Sequence, residues 1–205
     1  MRIAILGLVA FLAVSGTLHA GVLADDTAAY TDGEGFQWKG TSVFDSGVTL
    51  QVTVDWAVYA PGDFHFDGYT PTPGEFVYAY QADITGTSVL TKFTVYMMDS
   101  NEANNIGTFT IGTGRAPDTV DFQVPGSENL VAAEFWWSPG LAVGAASSGL
   151  VFSSINAPLD YFGSVTDHGE SADGEVPSPS NLIPEPTTMG LIVAGLLGWV
   201  SRRRR

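Results

Sequence analysis

The chain has 205 residues, 45% hydrophobic and 15% charged, which suits one globular domain with processing segments and excludes a disordered chain. Its 24 glycines and 11 prolines follow no collagen-like period and read as turns between short strands, which excludes a long helical architecture. The formal net charge is −14, and between 25 and 183 only Lys39, Lys92 and Arg115 oppose 21 carboxylates; a phosphate backbone is repelled by such a surface, so nucleic acid is excluded as a partner.

Arg2 precedes an apolar run from Ile3 to Val14, then small and polar residues. This is the order of a secretory signal peptide, so 1–24 is predicted to be a helical leader that is handed to the Sec machinery and removed. A dozen apolar residues span about 18 Å as a helix, short of a hydrocarbon layer of roughly 30 Å. Cleavage after Ala20 places Leu18 at the upstream recognition position. Cleavage after Ala24 places Val22 there and leaves an acidic Asp25-Asp26 start, the slightly better fit.

Residues 25–166 are predicted to form an all-β antiparallel sandwich of about eight or nine strands. Phe36 to Phe44 reads as an opening hairpin. From Val48 to Tyr59 the chain alternates, with Val48, Leu50, Val52, Val54, Trp56 and Val58 on one face and Thr49, Gln51, Thr53, Asp55 and Tyr59 on the other. That is the pattern of a strand with one buried and one wet side. Further strands are predicted at Phe76 to Ile84, Val89 to Met98, Gly107 to Ile111, Thr119 to Val124, Leu130 to Trp137, Leu150 to Ser154 and Tyr161 to Val165, separated by turn-forming residues. The chain has no cysteine, so its stability must come from packing and not from disulfides.

Within this body Asp63-Phe64-His65-Phe66-Asp67 is the candidate metal cluster. Strand alternation would put Asp63, His65 and Asp67 on one face, with calcium more plausible than zinc, against the plainer reading of a solvated loop. Asp99 to Asn105 is oxygen-rich but fails the EF-hand spacing, because Ala103 takes a ligand position. In Trp136-Trp137 the two rings must point to opposite faces of a regular strand, which makes Trp136 a candidate glycan contact. No nucleophile elbow is present, and only His65 and His168 follow the leader. No catalytic residue is therefore assigned and the chain is read as non-enzymatic, without a cofactor unless calcium binds.

From Asp167 the alternation is predicted to fail, leaving 167–183 as an acidic Pro/Ser linker. Pro184-Glu185-Pro186 then precedes the apolar segment Met189 to Val200 and the cluster Arg202, Arg203, Arg204 and Arg205. Twelve strongly apolar residues interrupted by Gly190, Gly195 and Gly198 form a span shorter than the roughly 20 of a permanent transmembrane helix. The arginines give it a cytoplasmic end. Tripeptide, short apolar run and terminal arginines in that order resemble the PEP-CTERM sorting signal of Gram-negative bacteria. The resemblance covers 184–205. It implies recognition of Pro184-Glu185-Pro186 by an integral-membrane exosortase, a transient inner-membrane tether, and delivery to the cell surface or extracellular space. Such proteins are associated with exopolysaccharide and biofilm matrix.

Overall fold

A computed structural model describes residues 21–97, 103–123 and 131–180. Ten strands run in chain order: β1 (Lys39–Asp45), β2 (Gln51–Tyr59), β3 (Phe76–Ile84), β4 (Leu90–Met97), β5 (Asn104–Phe109), β6 (Thr119–Gln123), β7 (Val131–Leu141), β8 (Gly149–Ser154), β9 (Pro158–Thr166) and β10 (Ser171–Pro179). They pair antiparallel into two five-stranded sheets, ordered β1-β2-β3-β8-β5 and β10-β9-β4-β7-β6. The leader helix expected before residue 21 and the sorting helix expected in 184–205 lie outside the described residues.

The inner faces carry the alternating apolar residues read from the sequence. Val52, Val54, Trp56, Val58, Tyr78, Tyr80 and Phe152 come from the first sheet; Phe93, Val95, Phe135, Trp137, Val165 and Val176 come from the second. All are buried in one continuous cluster. Phe93 is its hub, with ring centroids 6.0 Å from Phe44, 5.7 Å from Tyr80 and 6.1 Å from Phe135. Each fully buried side chain of this size contributes about 1.5–3 kcal/mol, which is how a disulfide-free body holds together.

Three expectations are corrected. The segment expected as an acidic linker is strand β10 over most of its length, paired with β9 from Ser171↔Thr166 to Pro179↔Pro158. Its inward positions are Ala172, Gly174 and Val176, and the aromatic ring that would normally come from the strand comes instead from Phe44. A Cβ at Gly174 would stand 2.9 Å from that ring, so glycine is what lets Phe44 lie flat on the hairpin. Tyr80 Oη donates to the Pro177 carbonyl at 2.5 Å, and Ser178 Oγ donates to the Tyr96 carbonyl at 2.7 Å. Phe36 to Phe44, expected to form a hairpin of its own, supplies β1, which pairs along β2.

The last correction concerns β2, whose expected wet side is dry from Asp55 onward. Asp55, Ala57 and Tyr59 are all buried, because a third layer covers the outer face of the first sheet. Leu23, Ala29, Phe109, Ile111, Phe64, Phe66 and Tyr69 pack there against Ala57, Tyr59, Val77, Ala79 and Val151. The layer is built from the amino-terminal turn, the long β2–β3 connection and the end of β5.

One carboxylate ties the β9–β10 turn to the β1–β2 turn. Glu170 Oε2 accepts from Ser46 Oγ at 2.8 Å, Thr49 Oγ1 at 3.1 Å, and the backbone N–H groups of Leu50 at 3.1 Å and Thr49 at 3.2 Å. The Ser46 hydroxyl, with these further donors, holds its pKa below the ordinary value of 4.5. A depressed carboxylate contributes stability that is present above its unfolded pKa and lost as pH falls through the folded one. Glu170→Gln is therefore expected to lower the melting temperature at pH 7 and to flatten its decline below about pH 4.5, as thermal melts across a pH series would show. An unchanged acid limb would remove Glu170 from the account.

Candidate functional site

Two surfaces were singled out by residue type, and the fold places each of them. The first is the β2–β3 connection. Phe64 and Phe66 turn inward, with ring centroids 5.3 Å and 5.1 Å from Phe109, while Asp63, His65 and Asp67 are exposed. The period of two survives, but in a loop that lies over the first sheet and not in a strand. The three candidate ligands do not converge. His65 stacks on Phe66 at 4.4 Å and turns its Nε2 toward Asp26 Oδ2 at 3.5 Å. Asp26 also accepts a 2.7 Å hydrogen bond from Tyr59 Oη. Among the described residues no group of three or more His, Cys, Asp or Glu side chains is placed to hold a metal ion. Of the three, His65 fastens the amino-terminal turn, a role that the sequence could not reveal because the partner, Asp26, lies far away along the chain. Of the Asp99 to Asn105 segment, 99–102 lie outside the described residues.

The second surface is the outer face of the β10-β9-β4-β7-β6 sheet. Trp137 is buried and Trp136 is 41% exposed, as alternation along β7 requires. Trp136 lies opposite Lys92 on β4 and Thr119 on β6. Lys92 Nζ stands 4.7 Å from the centre of its ring and 3.0 Å from Glu134 Oε1, and Trp136 Nε1 donates to Glu134 Oε2 at 3.0 Å. The ammonium thus holds one side of the ring by cation–π attraction and the carboxylate fixes its tilt. Tyr96 and the exposed Phe162 share the same sheet face by register, with Thr94 and Ser164 buried between them and the exposed Asp121 and Asp173 on the two edge strands. This is an open sheet face with three aromatic rings and acidic edges. Such a surface suits stacking on an extended neutral ligand better than enclosing a small one.

Two buried side-chain oxygens lack a hydrogen-bond partner among the described residues, Thr94 Oγ1 beneath this face and Asp55 Oδ2. Asp55, on the covered face of β2, is 2% exposed. Its Oδ1 accepts from Thr41 Oγ1 at 2.5 Å, while no hydrogen bond of normal geometry reaches Oδ2. Burial raises its pKa, opposed by the Thr41 hydroxyl and reinforced by the charge of Asp25, with the Gly21 N–H pulling downward. No feature of the sequence pointed to it, since alternation assigned Asp55 to solvent.

The sorting residues Pro184, Glu185 and Pro186 and the arginines 202–205 lie outside the described residues. The last described residue, Ser180, follows the end of β10 directly. Only Asn181, Leu182 and Ile183 separate it from the tripeptide, a stretch that reaches at most about 14 Å. Among the described residues no helix is long and apolar enough to cross a membrane.

Comparison with known proteins matches residues 182–205 to the model of the PEP-CTERM protein-sorting motif. The tail therefore carries that motif, as its three parts indicated. No curated protein and no solved structure matches the chain.

Calcium up to its binding midpoint at a real site would raise the melting temperature by about 1 °C, and by several degrees in large excess. Millimolar calcium is expected to leave the melting temperatures of the native chain and of Asp63→Ala alike. A rise of several degrees in the native chain alone would restore the loop as a metal site.

Proposed function

We propose that this chain is an exported, non-enzymatic β-sandwich that an exosortase severs from its tail and releases to the cell surface or exopolysaccharide matrix. The observation that carries this reading is the sorting motif at 182–205, set immediately after the last strand of the folded body. Each part of the tail has a mechanical role. The apolar segment enters the bilayer by hydrophobic transfer, and the arginines hold its end on the cytoplasmic side. Its shortness makes the tether temporary, since a dozen apolar residues leave polar backbone ends inside the hydrocarbon layer. Pro184 and Pro186 cannot donate backbone hydrogen bonds and disfavour helix at the residue before each, which suits recognition by an enzyme that grips an extended peptide.

The short connector gives the body a part in this. With at most about 14 Å between Ser180 and Pro184, the edge formed by β10 and β9 stays near the membrane surface until the tail is cut. Its acidic residues, Asp160, Asp173 and Glu175, then favour departure from anionic lipid headgroups once the tether is gone.

A second reading, a carbohydrate-binding surface centred on Trp136, is favoured by one observation. An aromatic ring 41% exposed stands in mid-sheet on a face that also presents Phe162 and Tyr96. This reading is compatible with delivery to a polysaccharide matrix.

In a host with an exosortase, the native chain is expected to be recovered without Arg202–Arg205, and the double variant Pro184→Ala, Glu185→Ala with them, as intact mass measures. Native protein that keeps its arginines in the membrane would overturn the sorting reading. In an affinity gel containing matrix polysaccharide, retardation of the exported protein abolished by Trp136→Ala would establish the second reading. Turnover of the polysaccharide would overturn the non-enzymatic one.

A further inference from the structure

The turn that opens the described chain is part of the folded body. Gly21 and Leu23 are fully or nearly fully buried, Leu23 at 0% within the cluster that roofs the first sheet. The turn is closed by hydrogen bonds from the Asp25 N–H to the Gly21 carbonyl at 3.3 Å and from the Asp26 N–H to the Leu23 carbonyl at 3.1 Å. It is then pinned by Asp26 to Tyr59 and His65. Cleavage after Ala24 would discard Gly21 to Ala24, uncover Ala57 and its neighbours, and leave a hole in the third layer.

Gly21 also lies directly on the Asp55 carboxylate. A Cβ built on it would stand 1.5 Å from Oδ2 and 2.3 Å from Cγ, so any larger residue would have to push the carboxylate aside. That Oδ2 is the buried oxygen without a hydrogen bond. An amide nitrogen has one hydrogen, fixed in the peptide plane, whereas an α-ammonium has three that rotate to suit the acceptor. A free amino terminus at Gly21 therefore supplies what the buried carboxylate lacks.

We infer that the leader is cut between Ala20 and Gly21 and that the new α-ammonium of Gly21 closes an ion pair with the buried carboxylate of Asp55, locking the amino-terminal turn onto the first sheet. The inference rests on the export reading above. In the cut, water adds to the Ala20 carbonyl and the C–N bond breaks. Ala20 departs as a carboxylate that holds the water's oxygen, and the Gly21 nitrogen adds the water's two protons to its own one to become an ammonium at neutral pH. Before the cut that nitrogen is an amide that offers the carboxylate one fixed hydrogen and no charge, so the final packing of the turn depends on processing. A small residue at Ala20 meets the requirement of a leader peptidase on the near side of the bond. The upstream Leu18, which made this bond look the poorer choice, is outweighed by what the fold retains.

The test is amino-terminal sequencing and intact mass of the full chain after export through its own leader. A start at Gly21 is expected. A start at Asp25, or anywhere else in 22–26, would overturn the cleavage inference and leave export standing. A chain still beginning at Met1 would instead overturn the export reading beneath it. The ion pair has its own readout in amine-selective acylation at pH 7. Pairing that raises the amine pKa by one unit lowers its reactive neutral fraction about ten-fold, so the folded terminus should label at least about ten-fold more slowly than the denatured one. Asp55→Asn should restore most of that rate and lower the melting temperature by at least about 5 °C. If Asp55→Asn does not fold, Asp55→Glu, which keeps the charge, serves in its place and should retain the slow labelling. Equal labelling of folded and denatured native protein would overturn the pair.

Discussion

The contact of Phe93 with Phe44, Tyr80 and Phe135 is the interaction on which the rest of the structure depends. It joins the middle strand of one sheet, β4, to the edge and centre of the other, and it does so without any covalent help, since the chain has no cysteine. Rings are suited to this role. Each buries a large area while losing only two side-chain torsions, and edge-to-face contacts such as the 89° and 64° crossings of Phe44 and Tyr80 on Phe93 fix the distance between the sheets as well as the attraction. With the spacing fixed, both edges follow. β10 seats against Phe44 at one end, and the outer face of the first sheet presents a flat apolar floor on which the third layer can settle.

Most of this was legible in the sequence, because a strand with one buried face writes its own period. Gln51–Tyr59, Phe76–Ile84 and Leu90–Met97 appear nearly where alternation put them, and Trp136 and Trp137 point in opposite directions for the same reason. The segment that escaped, β10, alternates as well. Ala172, Gly174 and Val176 face inward against Ser171, Asp173 and Glu175, but two of the three inward residues are too small to register as apolar. The bulk that completes this part of the core comes from Phe44, more than a hundred residues earlier. A missing side chain that another element supplies looks, in one dimension, like a linker.

The third layer was illegible for a related reason. Alternation distinguishes the two faces of a strand but assumes that the polar-looking one meets water. Thr53, Asp55 and Tyr59 fit that assumption in composition, and only the arrival of Leu23, Phe64 and Phe109 makes the face dry from Asp55 onward. The candidate metal residues fall to the same effect. Asp63, His65 and Asp67 were read correctly as alternating with two phenylalanines. The phenylalanines turned out to have the structural task, and His65 answers to Asp26.

The two ends of the body bear on its export in opposite ways. At the carboxyl end, a segment expected to be a slack linker is bonded into the sheet up to Pro179. At the amino end, the body begins before the acidic pair that the sequence suggested as its start. Leu23, which precedes that pair, is completely buried in the third layer. The body is thus structural from Gly21 to Pro179, and its last strand ends close to the sorting motif at 182–205.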